Sequence, residues 1–215
     1  MAAAAGTGDS EVVALLRRSR VLPVLSVEHA DQAVGACRAL VAGGIRCVEI
    51  TFRTAAAAEA IERVSRIEGL LVGAGTVLSV TQAQAAFDAG ARFAVAPGTN
   101  ADVVAFSRAL GLEFFPGVAS ASEIDRAREL GCDVVKVFPA STVGGPAFLR
   151  AVAAVYPQAR FIPTGGIDAG SLPDYLAVPA VLACGGSWLC DQALVQGERF
   201  DELERLARAA LEAAA

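Results

Sequence analysis

One histidine, His29, and one lysine, Lys136, stand in a sequence of 215 residues. So little histidine excludes whole classes of chemistry. A Ser-His-Asp triad has only His29 to draw on, and no nucleophile elbow lies near it. A catalytic metal site built on several histidines cannot be assembled, so no metal is expected. His29 itself reads as a surface residue at a helix start. Aromatic residues make up only 6%. There is no basic block and no basic–aromatic interleaving, so nucleic acid is not an expected partner. No polybasic helix and no uncharged apolar run of spanning length points to a membrane. The five cysteines, Cys37, Cys47, Cys132, Cys184 and Cys190, include no C-x-x-C pair. Buried free thiols in a reducing cytoplasm are the expectation. The opening MAAAAGTGDS lacks a charged segment followed by a long apolar core. Residues 1–8 therefore read as a loose leader and not as a signal peptide.

The scarcity of lysine says more. The other 17 of the 18 basic residues are arginine. Arginine stays protonated, whereas a lysine taken out of water can lose its proton and act as an amine nucleophile. Wherever a surface cation is needed, this chain uses Arg, which leaves Lys136 where Arg could not serve.

What is present is apolar and periodic. Hydrophobic residues reach 54% and the net charge is −5, which fits one folded domain over 1–215. Eight strand candidates recur: 21–26, 47–52, 70–75, 93–98, 113–118, 134–139, 160–165 and 180–185. Helical stretches follow them at 29–42, 54–67, 79–89, 100–110, 120–130, 146–155, 171–177 and 200–213, the 171–177 stretch being short. Thr54, Ser79, Asn100 and Ser120 fit as N-caps, and Ser120 with Glu123 has capping-box spacing. Eight β-α units in one domain predict an α/β fold, a closed (β/α)8 TIM barrel. An extra N-terminal helix over 9–18 is expected to cover its bottom. A dinucleotide fold would want a glycine-rich turn after its first strand, where SVEHAD stands instead.

Chemistry in such a barrel sits where strands end on the carboxyl side. In CVEITFR, Val48, Ile50 and Phe52 share one face and Glu49, Thr51 and Arg53 the other. The polar set is expected in the lumen. In VVKVFP, Lys136 and Phe138 share a face. A lone Lys and a Glu thus point into one space from different strands. They could form a space-filling ion pair, which stabilises little because desolvation is costly. The alternative is an amine nucleophile whose proton is loosened by desolvation and by Arg53, beside a carboxylate that moves protons. Strand 3 ends at Thr76, strand 4 at Pro97-Gly98, and strand 5 carries Pro116-Gly117. The loops after strands 7 and 8, TGGI at 164–167 and GGSW at 185–188, suit an anion such as phosphate, because glycine lets backbone N–H groups approach closely.

The motifs VEITFRT (48–54), GAGTVL (73–78), the PG turn at 97–98, FPG (115–117), KVFPA (136–140), PTGGI (163–167) and GGSWL (185–189) together resemble the 2-keto-3-deoxy-6-phosphogluconate aldolases. That family includes 4-hydroxy-2-oxoglutarate aldolases. The resemblance runs from about residue 11 to the end. It implies a class I, Schiff-base aldolase that cleaves a phosphorylated 2-keto acid reversibly to pyruvate and glyceraldehyde 3-phosphate. Lys136 would form the Schiff base and Glu49 would act as general acid/base through a water. Arg53 and Thr76 would hold the carboxylate, and Phe138 and Pro97 would wall the pocket. Thr164 would read the hydroxyl configuration, and Gly165, Gly166, Gly186 and Ser187 would bind phosphate. A cytoplasmic homotrimer without cofactor is implied. APG at 96–98, where SPG is common, and VASASE after FPG, where a Thr is frequent, depart from the pattern and touch the pocket contacts. Rival readings are the 4-hydroxy-2-oxoglutarate or 6-phosphogalactonate substrates, and, from another class, a phosphosugar isomerase or a non-catalytic ligand-binding barrel.

Overall fold

Helix α1 (Glu11–Ser19) opens the structure, a computed structural model that describes residues 9–215. The expected leader over 1–8 lies outside the described residues. Ser10 caps α1: its Oγ accepts from Val13 N at 3.1 Å and also reaches the Glu113 carboxylate at 2.7 Å. Glu11 in the first turn and Arg17 and Arg18 in the last match the helix dipole.

Nine strands follow. They are β1 (Val21–Leu25), β2 (Cys47–Thr51), β3 (Leu71–Gly75), β4 (Phe93–Val95), β5 (Glu113–Phe115), β6 (Gly117–Val118), β7 (Val134–Val137), β8 (Arg160–Pro163) and β9 (Cys184–Gly186). All pairings are parallel. Six strands form a half-barrel sheet in the order β5-β4-β3-β2-β1-β9, and three form β6-β7-β8. The expected fifth strand is divided at Pro116, which has no N–H for the ladder. The two sheets meet again between β8 and the chain entering β9, through the bridges Phe161↔Val181 and Thr164↔Gly185. The last strand is therefore shorter and later than the 180–185 expected.

Alternation separates two cores. Val21, Leu25, Val48, Ile50, Val72, Ala74, Val135, Val137 and Phe161 face outward and pack with the helices. Leu22, Cys47, Phe93, Val95, Phe115 and Ile162 face inward, and Val12, Val13 and Leu16 of α1 join them. Helix α1 thus closes the floor beneath the inner face, as the sequence predicts.

The helices between strands are α2 (Ala30–Ala42), α3 (Ala57–Val64), α4 (Val80–Asp88), α5 (Ala101–Leu110), α6 (Ala121–Glu129), α7 (Gly145–Val155), α8 (Leu172–Leu176), α9 (Gln192–Gln196) and α10 (Phe200–Ala214). Ser79, Asn100 and Ser120 cap their helices with side-chain oxygens. Thr54 does not. Helix α3 starts after Ala56, and the Thr54 hydroxyl instead donates to Val27 O at 2.6 Å, tying together the turns after β1 and β2. Helix α9 was not expected. Asp191 Oδ1 starts it by accepting from Ala193 N and Leu194 N.

Candidate active site

Lys136 sits on β7 between Val135 and Val137, whose side chains are held by the helix layer. Its own side chain is forced inward and is 5% exposed. Glu49, 1% exposed, points inward from β2 between Val48 and Ile50. Lys136 Nζ lies 3.1 Å from Glu49 Oε1 and 3.4 Å from Oε2. The two ions meet across the lumen from sheets that do not pair at β2 and β7. A glycine makes this possible. Glu49 bends over Gly75 of β3, where a Cβ would overlap Glu49 Oε1.

The Lys136 amine stands 5.8 Å from the centroid of the Phe138 ring. That ring in turn lies against Gly165, where an added Cβ would come within 3.2 Å of it. Pro97 is half-buried and lies against Gly117, the β6 residue paired with Lys136. Thr76 follows β3 with φ 58, a left-handed conformation that a β-branched residue adopts only when its surroundings impose it. Arg53 is exposed just past β2 and has no ion-pair partner among the described residues.

At the other rim, Thr164 is 7% exposed and its Oγ1 fills the space where Gly185 has no Cβ. Its one hydrogen bond, to Ile162 O, is long at 3.5 Å. Gly165 and Gly166 have φ of +99 and +71, left-handed values that glycine tolerates. Gly186 is covered by the Trp188 ring, and Ser187 is exposed at the start of the short 3-10 turn Trp188–Cys190.

Three neighbours were not given roles from the sequence. Ser141 lies against Gly166, and its backbone N donates to Gly165 O at 3.0 Å. Trp188 backs Gly186; its being the sole tryptophan beside a glycine pair was the signal available. Thr51 fell on the lumen face by alternation, yet no task was assigned to it. His29 is exposed at the start of α2. Among the described residues no group of three or more His, Cys, Asp or Glu is placed to hold a metal. Two surface hollows, of ≈ 390 and ≈ 620 Å³, are lined by Arg108 and Cys132 and by Arg18 and Arg92; neither includes Lys136 or Glu49.

The chain as a whole is similar to known proteins. A family model described as KDPG and KHG aldolase matches residues 12–206. The chain is 48% identical over 198 residues to a 2-dehydro-3-deoxy-phosphogluconate aldolase of Treponema pallidum, covering 92% of this chain and 94% of that one. Among solved structures, the 2-keto-3-deoxy-6-phosphogluconate aldolase of Zymomonas mobilis with 3-phosphoglycerate is 39% identical, with a TM-score of 0.86, covering 93% of this chain and 94% of that one. The KDPG aldolase of Legionella pneumophila, with pyruvate captured as a covalent carbinolamine, is 34% identical with a TM-score of 0.89, covering 94% of this chain and 98% of that one.

Proposed function

The chain belongs to the KDPG and KHG aldolase family, and from that premise and the site's geometry we propose that it cleaves 2-keto-3-deoxy-6-phosphogluconate reversibly to pyruvate and glyceraldehyde 3-phosphate. The observation that carries this is the sole lysine of the chain, buried on an inward strand face 3.1 Å from a buried carboxylate. A phosphosugar isomerase or a non-catalytic binding barrel leaves that amine without a task.

Lys136 attacks the C2 ketone to give a carbinolamine, which loses water to an iminium ion. Glu49 moves protons at this stage, through a water. It then takes the C4 hydroxyl proton as C3–C4 breaks, and the bond's electrons flow into the iminium, leaving an enamine. The aldehyde departs. Protonation at C3 and hydrolysis release pyruvate and the free amine. We assign the keto-acid carboxylate to Arg53 and Thr76. The unpaired guanidinium and the strained backbone at Thr76 support that reading. Phe138 and Pro97 wall the pyruvyl end. Gly165, Gly166, Gly186 and Ser187 take the phosphate, supported by left-handed glycines and an exposed hydroxyl at one rim. Thr164 lies between the two ends and meets the C4 hydroxyl. The family also takes 4-hydroxy-2-oxoglutarate, which lacks the phosphate, and assays with both substrates rank them.

We further infer that the two sheets act as one closed eight-unit barrel. The Thr164↔Gly185 bridge on one side and the single strand interrupted at Pro116 on the other support it. A cytoplasmic homotrimer fits the exposed Leu78, Val80 and Phe87 around α4 and the buried free thiols. Light scattering giving three chain masses checks the assembly.

The decisive experiment is borohydride reduction in the presence of pyruvate. One pyruvate-derived group is expected on the peptide holding Lys136. Turnover of substrate without a trappable adduct overturns the mechanism.

A further inference from the structure

The inner face of β2 presents Cys47, Glu49 and Thr51 in succession. Cys47 belongs to the apolar floor and Glu49 to the ion pair. Thr51 is 1% exposed, and its hydroxyl has no hydrogen-bond partner among the described residues. Buried hydroxyls are nearly always paired. A valine would fill the same space without an orphaned donor, so the oxygen itself needs an explanation.

Register supplies one. Thr51 pairs with Gly75 on β3, and Glu49 pairs with Gly73 one step below. The Glu49 side chain does not stay at its own level. It folds over Gly75, so that its Oε1 occupies the place of that residue's missing Cβ. The carboxylate is thereby raised to the level of Thr51, one strand across. Neighbouring strands lie about 4.8 Å apart. Two hydrogen bonds of about 2.8 Å meeting at one tetrahedral oxygen span about 4.5 Å. One strand spacing therefore matches the span of a single oxygen bridging hydroxyl and carboxylate.

We propose that Thr51 is a positioning residue whose hydroxyl holds the oxygen that leaves and re-enters at C2 during imine formation and hydrolysis. The proposal rests on the aldolase reading above. In the forward step the carbinolamine C2–O bond breaks as the nitrogen lone pair forms C=N. The departing oxygen takes the proton of the Glu49 carboxyl group and becomes water, and the Glu49 carboxylate remains beside the iminium cation. In hydrolysis water adds to C2 and Glu49 recovers the proton. Thr51 exchanges no proton in either direction. It donates its hydroxyl hydrogen to that oxygen and fixes the oxygen's place between C2 and Glu49.

The test uses Thr51→Val, which keeps the shape, and Thr51→Ser, which keeps the hydroxyl. The main readout is enzyme-catalysed exchange of the pyruvate C2 oxygen with ¹⁸O-water, which requires imine formation and hydrolysis but no C–C cleavage. Thr51→Val is expected to slow exchange by about tenfold, the weight of one well-placed hydrogen bond, while KM for the phosphorylated substrate holds. Thr51→Ser recovers most of the rate. The melting temperature of Thr51→Val is expected to hold or rise, because the hydroxyl has no structural partner. Wild-type exchange in the Val variant overturns the proposal. So does a Ser variant as slow as Val, or a fall in melting temperature, which marks the hydroxyl as structural. Borohydride trapping separates this from the reading beneath it. If the wild-type protein fails to trap pyruvate on Lys136, the aldolase reading fails. If trapping succeeds and Val exchanges normally, only the role of Thr51 fails.

Discussion

Lys136→Arg is the most selective change available at the site. It keeps a cation opposite Glu49, so the buried pair and the fold survive, and it removes the only side chain able to form an imine. Cleavage and borohydride trapping should both vanish while the circular dichroism spectrum is unchanged. A residual trapped adduct on another peptide would show that the nucleophile lies elsewhere. Glu49→Gln is a different perturbation. The amine stays, so some trapping persists, but steady-state cleavage should slow by about 10²-fold or more, a typical acid–base contribution. It also leaves Lys136 buried beside a neutral partner, which lowers the melting temperature. At Thr164 the effect is on choice of substrate. The hydroxyl is held by one long bond of 3.5 Å and is free to turn to a ligand. Thr164→Val should shift the kcat/KM ratio between the gluconate and galactonate epimers by up to about tenfold, the weight of one hydrogen bond. An unmoved ratio removes Thr164 from the specificity assignment.

Strand β3 shows how an element can act through side chains it lacks, above Leu71 on its inner face. Gly73 leaves room for the Phe93 ring and Gly75 for the Glu49 carboxylate. Gly75→Ala puts a methyl group where Glu49 Oε1 lies. It should slow cleavage by about as much as Glu49→Gln, roughly 10²-fold, in a protein that still folds, as thermal melts and kcat measured together would show. Helix α1 gives the opposite separation. Leu16, fully buried in the floor, should cost about 2–5 kcal/mol as Leu16→Ala, read by urea unfolding, with kcat unaltered because the floor lies below the ion pair. Much of this was legible in the sequence. The period of two along 47–53 and 134–138 assigned Glu49, Thr51 and Lys136 to the lumen, because outward positions must be apolar to meet the helices. The division at Pro116 and the true start of α3 were not legible. Both depend on which hydrogen bonds the chain finds across space: Thr54 prefers Val27 O to its own helix. The reach of Glu49 over Gly75, and with it the level of Thr51, is likewise a matter of side-chain direction that strand spacing does not encode.

Across the whole molecule, five free thiols lie buried in a protein without a disulfide among its described residues. Burial pushes Cys47 up to about 11, and Cys184 and Cys190 up to about 12; burial raises Cys37 and Cys132 as well. The native state therefore keeps thiol protons that the unfolded chain gives up near its ordinary value of 9.0. Between that value and the raised ones the unfolded chain binds fewer protons, so stability falls as pH rises through the window and is fully retained below it. Melting temperatures should drop progressively from pH 9 upward, with slow thiol alkylation at pH 8 until denaturant is added. Rapid native alkylation at pH 8 would show that the inner layers open readily.

A chain whose cationic side chains are arginine everywhere but at Lys136 has a consequence for covalent regulation and for handling alike. Acetyl groups, ubiquitin-like tags, aldehyde cross-links and activated-ester resins all seek a side-chain amine, and this sequence offers one, 5% exposed beside Glu49. No such mark can be added to a lysine elsewhere on the fold. On the proposed mechanism every acylation of a side-chain amine here is also an inactivation, and a bound keto acid adds to the shielding that burial and Glu49 already give.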